Sequence, residues 1–182
     1  MPINSINRKN VENIELTKIG EFGMIRKARP NVPEHLHTGI DIIRPTENYV
    51  DEQIFPIASG KIISIRDDGP YAQLIIEHKI SNSKYIWSVY EHISGIVVKL
   101  NDNVSPDIPV ARFMNKPELN KYGWQFDHFH LEIMKIKPQF RNPTGGNPFL
   151  LYRTYWLDCF NENDLNKYYH HPLEFLESKM EQ

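Results

Sequence analysis

The chain has 182 residues, 40% of them hydrophobic and 24% charged, and its 21 basic and 23 acidic side chains leave a formal net charge of −2. That length suits one domain with at most an appendage, and the composition is that of an ordinary globular protein rather than a disordered or membrane-spanning one. Near-neutrality without a Lys/Arg run gives no general attraction to nucleic acid, local patches aside; no stretch approaches a membrane span, and the single cysteine, Cys159, excludes both an intrachain disulfide and a Cys-based zinc finger.

Residues 1–19 read as a polar, loosely organised lead-in. The opening Met1–Arg8 lacks the apolar stretch of a secretion signal, so the expectation is a chain that stays inside or whose signal was removed. Gly20-Glu21-Phe22-Gly23 is the first strong turn signal. From Ile54 the texture changes to short runs of Ile, Val, Tyr and Trp punctuated by Gly, Pro, Asn and Asp, the signature of strands and turns. Strands are expected at Gly60–Arg66, Gln73–His78, Lys84–Ile93 and His128–Ile136. Asp67-Asp68-Gly69-Pro70 and Ser81-Asn82-Ser83 are the turns between the first three, which predicts consecutive antiparallel hairpins. No internal repeat points to a solenoid. Residues 142–148 read as a loop, and one or two short helices are expected near the end, for example Pro172–Met180, where Pro suits a helix start.

Chemistry concentrates in three fragments: His37-Thr38-Gly39-Ile40-Asp41, Tyr90-Glu91-His92 and His128-Phe129-His130. An incomplete shell of nitrogen and oxygen ligands without thiolate leaves a coordination position open, which is where metal-assisted hydrolysis takes place. His128 and His130, two apart on an expected strand, leave the same face about 6–7 Å apart. That spacing suits one ligand with a free imidazole beside it, and equally a strand that merely displays two histidines. His37 and Asp41 would stand about 13 Å apart on an extended strand, so one ion can hold both only if the chain bends between them, and Gly39 permits a bend. The plain alternative is a surface loop. Alternation in Ile86–His92 puts Tyr90 and His92 on one face and Val89 and Glu91 on the other, aiming His92 at the cleft that His128 would face.

Taken in order, His-x-Gly-x-Asp, Pro56-x-x-x-Gly60, Tyr-x-His and the His-x-His-Leu-Glu of His128–Glu132 resemble the lysostaphin and LytM type of zinc metallopeptidase, the M23 family. Phe22-Gly23 with Arg26 is similar to the region preceding the first metal histidine of that family. The similarity covers about residues 20–136. It implies a mostly β, antiparallel lysostaphin-type domain (a duplicated hybrid motif, barrel-sandwich-like) over residues 20–148, with long loops and a partly helical extension at 149–182. It also implies one zinc ion per chain on His37, Asp41 and His130, with His92 and His128 as the catalytic pair. The implied activity is endopeptidase cleavage of peptide bonds in peptidoglycan crosslinks or stems, in the cell envelope or outside the cell. Two alternatives stand beside it: a catalytically silent LytM-like envelope module that binds and regulates, and a zinc peptidase acting on a non-wall protein. The partner is then a peptide, with no nucleic acid and no transmembrane segment.

The chain departs from the family pattern at the approach to the last motif, where Asn120–Asp127 replaces a Gly/Ser/Thr-rich loop, and around Asn103–Asp107, where turn glycines are missing. No tyrosine stands just upstream of His37; Asn31 and Tyr71 are the candidates for its oxyanion role. Of the other histidines, His35 lacks the Gly-x-Asp continuation, His78 is expected to support the sheet, and His170 and His171 are expected at the surface. Glu132 is either a partner that orients a ligand histidine or a solvated carboxylate. The aromatic residues of the tail, Tyr152, Tyr155, Trp156, Phe160, Tyr168 and Tyr169, are expected to pack against the sheet rather than stack on a glycan.

Overall fold

A computed structural model describes residues 1–3 and 11–180; residues 4–10 of the expected lead-in, with 181–182, lie outside the described residues. Seven strands make the principal sheet: β1 (Ile40–Ile42), β2 (Gly60–Arg66), β3 (Gln73–Lys79), β4 (Tyr85–Glu91), β5 (Asn103–Val104), β6 (Phe129–Met134) and β7 (Tyr169–His170). The order across the sheet is β7-β6-β4-β3-β2-β5, all pairs antiparallel, with β1 also paired to β6. The hairpins β2–β3 and β3–β4 fall where alternating β-branched residues and Gly/Asp/Ser turns place them. The sheet stays open, so the barrel-like element of the expectation is not met among the described residues. A smaller three-stranded sheet sets Ala111–Phe113 between Gln53–Ile54 and Ile93–Ser94.

The two faces of the principal sheet divide the labour. On one face Ile40, Ile42, Ile62, Leu74, Ile76, Tyr90, Phe129 and Leu131 form the main core, closed by Ile3 near one terminus and Leu176 near the other. On the opposite face, Ile75, Trp87, Val89 and Met134 pack under Cys159, Leu165 and Tyr169 from the C-terminal segment. That second layer covers only part of the face. Period-2 alternation along β6 therefore sends His130 and Glu132 out on the side where Met134 is packed, beyond the edge of the layer.

Three short α-helices accompany the sheet: α1 (Lys116–Tyr122), α2 (Glu162–Tyr168) and α3 (Pro172–Met180), the last with the expected bounds. None is long and apolar enough to cross a membrane among the described residues. The C-terminal segment crosses the sheet through backbone bonds from Ile65 N to Phe149 O and from Leu36 N to Cys159 O, both near 2.8–2.9 Å. Of its aromatics, Tyr169 is fully buried and Tyr155 stacks on Tyr168, as expected, while Phe160 remains 56% exposed. His170 and His171, expected at the surface, are half-buried: ring contacts to Phe175 and Phe22 draw them inward.

Candidate metal centre

Strand pairing does most of the assembly. Asp41 on β1 and Glu91 on β4 are both register partners of His130, so a single residue of β6 has a carboxylate strand on either side. His37 reaches the same point because the chain turns at residues 37–39 before β1 begins. Of the two properties of glycine that suit a bend at Gly39, a permissive φ and close approach, the second applies: a Cβ there would lie 2.7 Å from His130 Cε1 and 2.8 Å from its Nε2. The glycine provides close approach rather than an unusual φ.

The turn at Gly20–Gly23 positions His37 from behind. Gly23 N donates to His37 O at 2.8 Å, Asp41 N donates to Gly20 O at 2.9 Å, and His37 Nδ1 donates to the Glu21 carbonyl at 2.9 Å. A carbonyl only accepts, so Nδ1 carries the hydrogen and Nε2 presents a lone pair. His130 is held in the reverse sense. Its Nε2 lies 3.3 Å from Glu132 Oε1, which also accepts from Thr38 Oγ1 at 2.5 Å, and its Nδ1 turns inward. Glu132 is thus the orienting partner rather than a solvated residue.

His37 Nε2, His130 Nδ1 and Asp41 Oδ1 then form a triangle with sides of 3.0, 2.9 and 3.1 Å. All three residues are buried, and together they could hold a metal ion. Donors held tetrahedrally at zinc bond lengths stand about 3.3 Å apart, so the triangle needs only a slight opening to accept that ion. The donor set fits as well: two imidazoles with fixed tautomers and one carboxylate, with no fourth protein ligand among the described residues, match an open site. Asp41 Oδ2 accepts from Arg26 Nη2 at 2.6 Å, leaving Oδ1 for the centre.

Electrostatics describe the centre without a cation. Burial opposes the charged form of every member, yet Asp41 and Glu132 more than offset this at His130 and bring it up to about 10. Burial likewise pushes Asp41 up, but His130 and His37 hold it well below the usual carboxylate range. A proton on His130 thus lies beside Asp41 where a divalent cation would neutralise it, and binding the cation would release that proton.

His92 and His128 flank the triangle, their rings 5.1 Å apart and nearly perpendicular. His128 Nε2 is 3.7 Å from Asp41 Oδ1, outside hydrogen-bond distance. His92 arrives by a route that alternation does not foresee. Tyr90 lies in the main core and Glu91 lines the cleft, so a regular strand would turn His92 away from the cleft; at φ 61° the backbone turns it back. Histidine tolerates this left-handed region better than β-branched residues do. Its Nδ1 donates to Pro70 O at 2.6 Å, and burial together with the neighbouring His128 lowers it to about 3. Phe126 and Tyr71 pack on its ring at 5.0 and 5.7 Å. Of the two candidates for the oxyanion role, Tyr71 therefore lines the cleft, and Asn31 does not. His78 bonds Ser59 O and Ser88 Oγ inside the sheet, the supporting role expected of it.

The cleft has a volume of about 860 Å³. The five residues form its floor, and Tyr152 and Trp156 of the C-terminal segment form part of its wall, the latter through an edge contact with His35 at 5.0 Å.

No protein-family profile matches the sequence, and no curated protein matches it either. Solved structures do. A chain of the SpoIIIAH–SpoIIQ complex aligns with 20% identity over 74% of this chain and 90% of its own, with a TM-score of 0.51. The solution structure of lysostaphin aligns with 18% identity over 92% of this chain and 52% of its own, with a TM-score of 0.54. A zinc-containing peptidase from Vibrio cholerae aligns with 22% identity over 72% of this chain and 35% of its own, at 0.47. The chain spans about half the length of the lysostaphin structure and a third of the Vibrio peptidase. The fold is of the lysostaphin type, an M23/LytM-like antiparallel architecture.

Proposed function

We propose that the protein is a zinc-dependent endopeptidase in which His37, Asp41 and His130 hold the metal and His92 and His128 handle protons. The observation that carries this reading is the 2.9–3.1 Å triangle of inward-facing donors, with two unligated imidazoles beside it on a cleft floor. When bound, the ion supplies Lewis-acid polarisation of a peptide carbonyl and acidifies water. The chain's own groups do the rest. His92, its Nδ1 committed to Pro70, keeps Nε2 as a lone pair in a neutral ring and accepts a hydrogen bond that orients the attacking water. His128, with no hydrogen bond fixing its ring among the described residues, takes the proton from that water and, once protonated, faces the developing oxyanion. The proton gathered by His128 passes to the leaving amine.

The lysostaphin likeness favours peptide bonds in bacterial cell-wall peptidoglycan as the target, in the envelope or outside the cell. Metal analysis of the purified protein is expected to give one zinc per chain. His130→Ala is expected to lose zinc and turnover together, and His128→Ala to lose turnover alone. Digestion of purified sacculi followed by mass spectrometry is expected to reveal new amines at a peptide bond; inert sacculi with a cleaved test peptide would move the target to a non-wall protein. A second reading, a silent module that holds a protein partner, is favoured by the likeness to a SpoIIIAH–SpoIIQ complex chain. Zinc-loaded wild-type protein that cleaves nothing would select it.

A further inference from the structure

The cleft has a charge asymmetry that overall composition conceals. Six basic side chains line it, Arg26, Lys27, Arg29, Arg66, Arg141 and Arg153, against the carboxylates of Asp41, Glu91 and Glu132, although acidic residues outnumber basic ones in the whole chain. The carboxylates belong to the floor strands. Asp41 and Glu132 are buried within the metal centre, and Glu91 accepts from Gln73 Nε2 at 3.2 Å. Two of the cations are also committed, Arg26 to Asp41 and Arg66 to Asp68.

The other four are not. Lys27, Arg29, Arg141 and Arg153 form no ion pair among the described residues, and the only side-chain hydrogen bond found for the four is that of Arg153 Nε to the neutral Gln139 Oε1 at 2.6 Å. They come from two segments that meet. Lys27 and Arg29 follow Ile25–Arg26, which pairs with His35–Leu36, and His35 packs on Trp156. Arg141 and Arg153 come from the paired segments Gln139–Phe140 and Tyr152–Arg153. The lining that these segments contribute is therefore cationic and aromatic, and Tyr71 and Phe126 pack on the His92 ring.

We infer that this wall recognises carboxylates, so that the cleft takes a peptide whose chain on one side of the reacting bond is acidic. Planar guanidinium groups pair bidentately with carboxylates, and the cations left without partners, three exposed and Arg141 half-buried, carry little desolvation cost when a partner arrives. Nucleic acid is the poorer fit, because the chain as a whole is net negative and the cations are confined to one wall above a floor rich in carboxylates. The cleavage of such a peptide rests on the peptidase reading; its binding does not.

Zinc-loaded His128→Ala protein and chelator-treated wild-type protein should be titrated by fluorescence anisotropy against three labelled decapeptides, alike except for acidic, neutral or basic flanks, and against a single-stranded oligonucleotide. The acidic peptide is expected to bind tightest, to weaken at high salt and to lose about tenfold in affinity in the Arg141→Gln/Arg153→Gln variant, with only partial recovery in Arg141→Lys/Arg153→Lys, which restores the charge without the bidentate fork. Equal binding of the three peptides, an acidic-peptide affinity untouched by the double Gln change, or tighter binding of the oligonucleotide would overturn the inference. Zinc-loaded wild-type protein separates the two readings. Selective binding of the acidic peptide without cleavage of any peptide removes the peptidase and keeps the carboxylate wall, whereas equal kcat/KM for acidic and neutral peptides keeps the peptidase and removes the wall.

Discussion

Arg44 donates from Nε to Asp127 Oδ1 at 2.6 Å and so fastens the residue immediately before His128 to the core. The guanidinium is almost wholly buried. It also pairs with Glu52 and donates to Met114 O at 2.7 Å, while Tyr49 Oη donates to Asp127 Oδ2 at 3.0 Å. The unusual lead into the last motif, which lacks the family's flexible glycines, is thereby held by charge. Asp127→Asn is expected to lower kcat several-fold while zinc content stays at one per chain, because His128 loses its anchor and the metal ligands do not. Arg44→Leu strands two carboxylates, one of them deeply buried, and is expected to cost about 3–5 kcal/mol. Denaturant titration of both variants with zinc analysis checks this; a full kcat in Asp127→Asn would show that the anchor does not act on His128.

Gly39 gives a sharper test of the metal centre. Adding one methyl group drives it into the His130 ring and the carbonyl of Leu131, and neither can retreat because β6 is paired on both edges. Gly39→Ala is expected to cost about 1–3 kcal/mol as overpacking and to weaken zinc binding at least tenfold through displacement of His130. Calorimetric zinc titration at matched folded fraction separates the two effects. Unchanged zinc affinity in a folded variant would mean that His130 is not a ligand.

The expectations that succeeded had a local physical signal. β2 and β3 show apolar residues bounded by turn formers, and α3 begins at Pro172, the residue type suited to a first turn. α1 carries a local signal only at its start: Asn115 accepts from Glu118 N at 3.0 Å and Glu118 Oε2 accepts from Asn115 N at 2.8 Å, a capping box visible as Asn-x-x-Glu. Its seven residues bury only Leu119, so no apolar period announced it. β7 is two residues long, too short for any periodicity. The five residues that meet at the cleft floor stand in the sequence as an ordered set, but His92 reaches the cleft by a left-handed φ that spacing cannot express. Arg44 and Asp127 are 83 positions apart, and a contact of that separation leaves no local trace.

The capping box also sets a pH dependence. Burial pushes Glu118 up, but the hydrogen bonds from Arg112, Ser94 and the Asn115 backbone prevail and hold it at about 2. A depressed carboxylate stabilises the fold above its unfolded value near 4.5, and that contribution is lost as pH falls through about 2. Because Glu118 is only half-buried, solvent screening limits the effect to about 1 kcal/mol. The Tm gap between wild type and Glu118→Gln is expected to be constant above about pH 5 and to close on acidification. A gap that widens instead would reverse the assigned sign.

Glu132 tests whether zinc affinity depends on how His130 is held. Its Oε1 takes the Thr38 hydroxyl at 2.5 Å and faces His130 Nε2, so its negative charge keeps hydrogen on Nε2 and directs the Nδ1 lone pair at the metal. Outer partners of this kind are worth roughly 10–100-fold in metal affinity. In Glu132→Gln the neutral amide still fits the space and accepts from Thr38, but it attracts the imidazole hydrogen less and makes the ring a poorer donor. Zinc affinity, read by competition with a chelating dye at pH 7, is expected to fall at least tenfold, and the Tm of the zinc-free protein to fall as well, because the protonated His130 loses one of its two carboxylates. Thr38→Val, which removes one donor and leaves the carboxylate charged, is expected to weaken zinc less. The opposite ranking would place the orienting role on the hydroxyl and take it from Glu132.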